Sequence, residues 1–498
     1  MTRGRWHACL HRLLRSLRSL AARRRMRPAR AALLLLLSLA FVGCTVGPNY
    51  RVPDSAQINS EAARGAFITS DPSSLAATPL PAHWWRLYDD PALDRFVHEA
   101  LTANTDLRMA NANLARSQAM LREARTLREP SIGIEGGLEY GQTSGEQYLL
   151  PIRPPVDTVY DVGATVGYDL DLFGGIRRGI EAAKADDEAV EAARDLSMVN
   201  VAAETARAYA DACGIGLQLI AARRSVELQQ QGLNLTRRLF EQGRAVDLDV
   251  TRSRQLVNQL TSAVPGLQAA QRNALYRLAV LTGRPPAQFD SALESCSQPP
   301  RLMQALPVGD GAGLLKRRPD IRAAERQLHA ATASIGVATA QLYPDIQLAL
   351  PFGSVGAKRD FLTAPTNYWG IGTVLKWQAN QSAARARIAQ ANASANLALA
   401  HFDGVVLGAL RETEVALNNY VHDLEREASV KAARDDAAKA ADEAQRLQIN
   451  GRATSLAVVD AQRTLAAAEQ SVAQTSATIS SDQVAVFLAL GGGWEEST

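Results

Sequence analysis

The sequence predicts a membrane α+β protein, on three observations. The chain beyond its leader repeats itself, each repeat holds a proline-free helical run of roughly sixty-five residues, and each holds a pair of strands alternating apolar with polar. The expected architecture is a duplicated protomer. Its long helices form a trimeric α-helical barrel, and its four β-strands contribute to a 12-strand membrane β-barrel.

The leader comes first. Residues 1–30 hold ten arginines and no acid, and Ala31–Gly43 is uncharged and apolar up to Cys44. A basic segment, a short apolar run and a small residue before a cysteine describe an export signal. The run falls short of the ~20 residues that span a bilayer. Met26 is a second start that leaves a more ordinary leader. The whole chain of 498 residues has a formal charge of +3; without the leader, 44 basic residues face 51 acidic ones, a charge of −7. The basic balance therefore argues for no nucleic-acid partner. Two of the four cysteines, Cys213 and Cys296, lie outside the leader and its boundary, and nothing in the sequence decides whether they pair.

The repeat is visible in two ordered blocks. Asn104-Thr105-Asp106-Leu107-Arg108 aligns with Arg318-Pro319-Asp320-Ile321-Arg322, and Pro130 with Pro344. Gly243-Arg244-Ala245 aligns with Gly451-Arg452-Ala453. The expected division is a signal peptide over 1–43 and a lipidated extension over 44–82. A first repeat covers 83–290 with strands at about 131–172, and a linker covers 291–306. A second repeat covers 307–493 with strands at about 345–377, and a tail covers 494–498.

Each repeat reads helix, paired strands, very long helix, tight turn, long helix. Leu93, Phe96, Val97, Leu101, Leu107, Leu114 and Leu121 keep helical spacing through Asp90–Arg128, and Pro130 stops that helix. Gly175 to about Gln242, and Gln381 to Asn450, contain no proline. A rod of that length, on the order of 100 Å, finds no compact core and must pack laterally.

Between the helices the period falls to two. Ile132, Ile134, Leu138 and Tyr140 alternate with Glu135 and Glu139; Tyr160, Val162, Val166 and Tyr168 alternate with Asp161 and Asp169. The second repeat has Ile346, Leu348, Leu350 and Phe352, then Trp369, Ile371, Thr373, Leu375 and Trp377. Apolar-out, polar-in strands with terminal aromatics fit a membrane barrel, with Glu135, Glu139, Asp161 and Asp169 towards the lumen. Two surface hairpins of a soluble sheet would show the same alternation. Two chains just reach the minimum of about eight strands; three give an open pore.

With these features the sequence resembles the outer-membrane efflux factors, the TolC and OprM family, in its NodT-type lipoprotein branch. The resemblance rests on an ordered set. It contains Cys44-Thr45-Val46-Gly47-Pro48-Asn49-Tyr50, Trp84-Trp85-Arg86-Leu87-Tyr88-Asp89-Asp90-Pro91 and Asp169-Leu170-Asp171-Leu172-Phe173-Gly174. Arg318-Pro319-Asp320-Ile321-Arg322, Tyr343-Pro344-Asp345-Ile346 and Val459-Asp460-Ala461-Gln462-Arg463 complete it. It implies a TolC-like homotrimer in the outer membrane, lipid-anchored through Cys44 and reaching into the periplasm. It also implies a passive efflux channel for drugs and other toxic small molecules. The implied partners are a periplasmic adaptor protein, an inner-membrane efflux transporter of RND type, and outer-membrane lipid. The resemblance further assigns adaptor docking to the tips at Gly243, Arg244, Gly451 and Arg452, and a gate to Asp442 with Arg446. Two positions depart from the family pattern. Lys376-Trp377-Gln378-Ala379-Asn380 lacks the usual turn glycine, and Ala457 stands where Asp is common.

The competing expectation is a lipid-anchored periplasmic coiled-coil adaptor or scaffold without a pore. That protein would have no use for four alternating strands. No catalytic residue, cofactor or metal is expected, since the five histidines outside the leader are scattered and no phosphate loop or nucleophile elbow occurs.

Overall fold

The structure, a computed structural model, describes residues 45–142, 144–146, 149 and 151–492. Cys44, the leader and the last six residues lie outside that set. The described residues fall into two compact units. The first takes 45–48, 125–180 and 333–391, and the second takes 49–124, 181–332 and 392–492.

The helices are α1 (Pro91–Ala103), α2 (Thr105–Thr126), α3 (Gly175–Glu241) and α4 (Asp247–Leu281) in the first repeat. The second has α5 (Gly311–Arg317), α6 (Pro319–Ala340), α7 (Ser382–Ile449) and α8 (Ser455–Ala489). The halves match element by element: 22 residues in α2 and α6, 67 and 68 in α3 and α7, 35 in α4 and α8. Alanine and Leu, Glu, Gln and Arg, none of them branched at Cβ, favour such runs.

One boundary differs from expectation. The helix expected over Asp90–Arg128 is two, because Asn104 adopts extended backbone and caps α2. Its Oδ1 accepts from the Asp106 and Leu107 amides at 2.8 and 3.3 Å. Apolar spacing runs straight through this break and hides it. The second repeat breaks at the matching Arg318.

The core of the second unit joins both repeats. Trp84 is fully buried and stacks on Phe487 of α8 with ring centroids 4.6 Å apart. Leu93 and Phe96 of α1, Leu275 and Leu278 of α4 and Leu417 of α7 belong to the same cluster. Each such side chain contributes about 1.5–3 kcal/mol on burial. Tyr209 of α3 donates to the Asp90 carboxylate at 2.9 Å, fixing α3 against the start of α1. The segment between the repeats crosses α3, where Cys296 is disulfide-bonded to Cys213. Gly216 sits under that crossing, and a Cβ there would lie 1.9 Å from the Cys296 carbonyl oxygen.

The first unit is built on one antiparallel sheet: β1 (Ser131–Gly141), β2 (Asp157–Asp169), β3 (Asp345–Ala357), β4 (Asn367–Trp369) and β5 (Gly372–Lys376). The order is β1-β2-β3, with β4 and β5 both paired to β3. The fourth expected strand is thus broken in two. Pro351 faces the break and has no N–H to donate; its carbonyl accepts from Gly370 instead, at 2.9 Å. Among the described residues no strand pairs with the outer edge of β1 or of β4 and β5.

Candidate functional site

Register sorts the sheet into two faces. Ile132 opposes Val166, Ile134 opposes Ala164 and Leu138 opposes Tyr160; Val166, Ala164 and Tyr168 oppose Leu350, Phe352 and Leu348. Trp369 opposes Phe352, and Leu375 opposes Ile346. Side chains opposite one another share a face, so these residues make one continuous apolar surface. It is left bare: Ile134 is 77% and Trp369 81% exposed. Glu135, Glu139, Asp161 and Asp169 all fall on the opposite face, by the same register.

Each strand pair enters its long helix through a different turn. After β2, Asp171 takes φ 44° and Gly174 φ 76°, and the Asp171 carboxylate accepts from the Ile176 and Arg177 amides at 2.9 and 3.0 Å. After β5 no glycine is present and none is needed, since no residue of 376–382 has positive φ. Asn380 Oδ1 instead accepts from the Ser382 amide at 3.2 Å, and Trp377 Nε1 donates to the Leu342 carbonyl at 3.2 Å.

Cys44 lies outside the described residues, but the chain directly after it is held. The Val46 amide donates to the Phe173 carbonyl at 3.1 Å, and Arg178 Nε donates to the Val46 carbonyl at 3.1 Å. A Cβ on Gly47 would come within 2.5 Å of Gly336 Cα. Further on, in the second unit, Tyr50 stacks on His329 at 4.3 Å and donates to the Glu325 carboxylate. Its hydroxyl is held well above the ordinary phenol range by burial and by Glu325.

The two tips close alike. Gly243 and Gly451 both have φ 71°. The Arg244 and Arg452 amides reach back to the Leu239 and Leu447 carbonyls, both at 2.8 Å. This is the left-handed C-terminal stop that only glycine makes without strain. The tips differ on the return side. In the first, Asp249 accepts from the Val246 amide at 3.4 Å; in the second, the Thr454 hydroxyl accepts from the Ala457 amide at 3.3 Å. Val246 and Thr454 are repeat partners, as are Asp249 and Ala457, so each tip keeps one half of a capping box.

Asp442 and Arg446 form an ion pair at 2.7 Å on the exposed face of α7, both side chains largely solvated. Asp442 also borders a cavity of about 400 Å³ reached by α3, α4, α7 and α8 and walled by Gln229, Gly232, Gln445 and Gln462. Several interactions in the second unit carry no sequence signal, because their partners sit far apart in the chain. Arg318 is nearly buried and binds Asp320, Glu412 and the Ala489 carbonyl at 2.7–3.0 Å. Arg301 is forked onto Glu427, whose pKa is held below the ordinary range chiefly by that hydrogen bond. Arg326–Glu188 and His329–Glu181 link α6 to α3 at 3.0 and 3.1 Å. Among the described residues no group of His, Cys, Asp and Glu has metal-site geometry.

Residues 96–284 and 313–492 match the family described as outer membrane efflux protein. The chain is 28% identical over 489 residues to the toluene efflux pump outer membrane protein TtgC of Pseudomonas putida, covering 94% of this chain and 96% of that one. It is 26% identical over 467 residues to nodulation protein T of Rhizobium leguminosarum bv. trifolii, covering 92% and 96%. Among solved structures, the outer-membrane channel OprN superposes with a TM-score of 0.85 at 33% identity, over 91% of this chain and all of that one. Matched over both repeats, the chain belongs to the outer membrane efflux protein family, whose members are transport proteins and not enzymes.

Proposed function

We propose that three copies of this chain close into one lipid-anchored outer-membrane channel, which passively conducts toxic small molecules outward within a tripartite efflux pump. The observation that carries the reading is the open sheet. One chain brings four strand positions, two bare edges and an apolar face that water does not tolerate. A membrane barrel needs at least about eight strands and no edge, which three chains satisfy with an open lumen. Glu135, Glu139, Asp161 and Asp169 would then line that lumen and favour cations.

The name of TtgC, a toluene efflux pump component, supports small apolar toxicants as cargo. The tips at Gly243-Arg244 and Gly451-Arg452 offer exposed Val246, Leu248 and Leu456 beside their arginines, a surface fitted to a periplasmic adaptor. An inner-membrane transporter of RND type would supply the energy. The tethering of Thr45–Gly47 at the β2–α3 turn supports lipid on Cys44, because the strand end is where a membrane leaflet would begin. A scaffold without a pore leaves the apolar face without use.

The test is reconstitution in planar bilayers with heat-modifiable mobility in detergent. Discrete conductance from a trimer supports the reading, and a soluble, non-conducting protein overturns it. Asp442→Ala should raise single-channel conductance and weaken cation block; unchanged values would remove Asp442 from the gate.

A further inference from the structure

We propose that Tyr368 of β4, laid along the acidic face of the sheet, is a binding site for organic cations such as quaternary ammonium compounds. The proposal rests on the trimeric pore above, in which that face lines the lumen. Register places Tyr368 opposite Gly353, Gly353 opposite Gly163 and Gly163 opposite Glu135, one row across four strands. Among the described strand residues Tyr368 is the one aromatic on this face. Tyr140, Tyr160, Tyr168, Phe352 and Trp369 all fall on the apolar side.

The row is shaped around this side chain. A Cβ on Gly163 would lie 2.5 Å from the Tyr368 hydroxyl oxygen and 3.6 Å from its Cζ, and one on Gly353 would lie 2.8 Å from the same oxygen. The tyrosine therefore lies along the wall over two glycines, the close approach that glycine inside a strand permits. By contrast, a Cβ on Gly133 or Gly137 of the same face would meet nothing within 4 Å. The flanking backbone is pinned as well. Thr366 is hydrogen-bonded to the buried Ser354 at 2.8 Å, and the Gly370 amide donates to the Pro351 carbonyl at 2.9 Å. With its wall side closed off, Tyr368 is still 41% exposed.

The charge around the ring has one sign. Glu135 belongs to the row itself, and Asp161 and Glu139 follow along the same face. Lys376, the one basic residue on this face among the described strand residues, opposes Asp345. That pair lies about 27 Å along β3 from Gly353. Opposed positions stand about 5 Å apart, so a cation seated on the ring above Gly163 also meets Glu135. An aromatic ring attracts a cation through its quadrupole, and quaternary ammonium groups are the ligands that exploit it best. Three chains would set three such rows around one lumen, holding an organic cation in transit longer than a neutral molecule of equal size. A tyrosine laid over glycines also steadies a sheet, but apolar bulk alone serves that end, whereas cation binding needs the π system.

The experiment records single channels of the full-length protein in potassium chloride while tetrabutylammonium is added. The native channel should show a voltage-dependent block. Tyr368→Phe keeps the ring and should leave the half-blocking concentration within about twofold, whereas Tyr368→Leu should raise it about three- to tenfold. Gly163→Ala keeps the tyrosine but tips it off the wall. It should weaken the block as well, and add nothing to Tyr368→Leu. Heat-modifiable mobility checks the assembly of each variant; where Tyr368→Leu does not assemble, Gly163→Ala decides by the same reading. A native protein without potassium conductance would overturn the pore and the site together. A conducting native channel that tetrabutylammonium does not block would overturn the site alone. So would a block that Tyr368→Leu or Gly163→Ala leaves intact, or one that Tyr368→Phe weakens as much as Tyr368→Leu.

Discussion

Cys213 and Cys296, separated by 83 positions, are bonded with their Cα atoms 4.7 Å apart, fastening the inter-repeat segment onto the middle of α3. A closed loop of that length stabilises by on the order of 4 kcal/mol in the chain-entropy view. Cys296→Ser should lower the unfolding midpoint accordingly, and reductant should lower that of the native protein but not of the variant. Gly216→Ala is the companion experiment. Helix propensity alone predicts a gain of about 1 kcal/mol. The Cys296 carbonyl, 1.9 Å from the added Cβ, predicts a loss instead, readable as a drop in melting temperature.

The half-boxes at the tips predict small, opposite effects. Thr454→Ala removes the cap of α8 and should cost about 1 kcal/mol. Val246→Thr completes the box at the first tip and should stabilise it by about 0.5–1 kcal/mol. Amide hydrogen exchange across residues 243–250 and 451–458 would read both. Protection that fails to fall in the first variant or rise in the second contradicts the assignment.

Glu427 predicts an acid-side transition. Arg301 depresses its folded pKa first, with Lys431 helping, so its contribution is complete above the ordinary value of 4.5 and is lost as pH falls below it. Glu427→Gln should cost about 3 kcal/mol at neutral pH, because it strands a mostly buried guanidinium. It should also flatten the melting curve below about pH 4.5.

The sheet faces predict different outcomes for neighbouring residues. Ile134→Lys places a charge on the apolar face and should cost about 2–4 kcal/mol at mid-membrane, abolishing heat-modifiable trimer. Glu135→Gln, one residue on but across the sheet, should leave assembly intact and reduce cation preference in bilayer recordings. Equal effects from both would mean the faces are misassigned.

Much of this fold is legible in the sequence because its signals are local. The ends of α3 and α7 fall within a residue or so of expectation, since glycine and polar turn residues bracket runs that contain no proline. The strands announce themselves through alternation, and register then joins Ile132, Val166 and Leu350 on one surface. What escapes is non-local or masked by periodicity. Asn104 is a polar residue in a helical pattern until its cap is seen, and the split at Gly370 depends on Pro351 across the ladder. The Arg318–Glu412 contact and the Arg301–Glu427 fork join residues far apart in the chain, so no spacing rule reveals them. Asp442 and Arg446, one helical turn apart on α7, display only an exposed ion pair within one chain.

The bare edges of the sheet have a genetic consequence. In the proposed trimer every protomer completes its neighbour's ladder, so a chain that assembles but cannot close the ring spoils its two sound companions. With equal co-expression and free mixing, only about one trimer in eight would be wholly intact. A lesion at an edge strand should therefore behave as dominant over a normal copy, whereas a chain too damaged to assemble should be recessive.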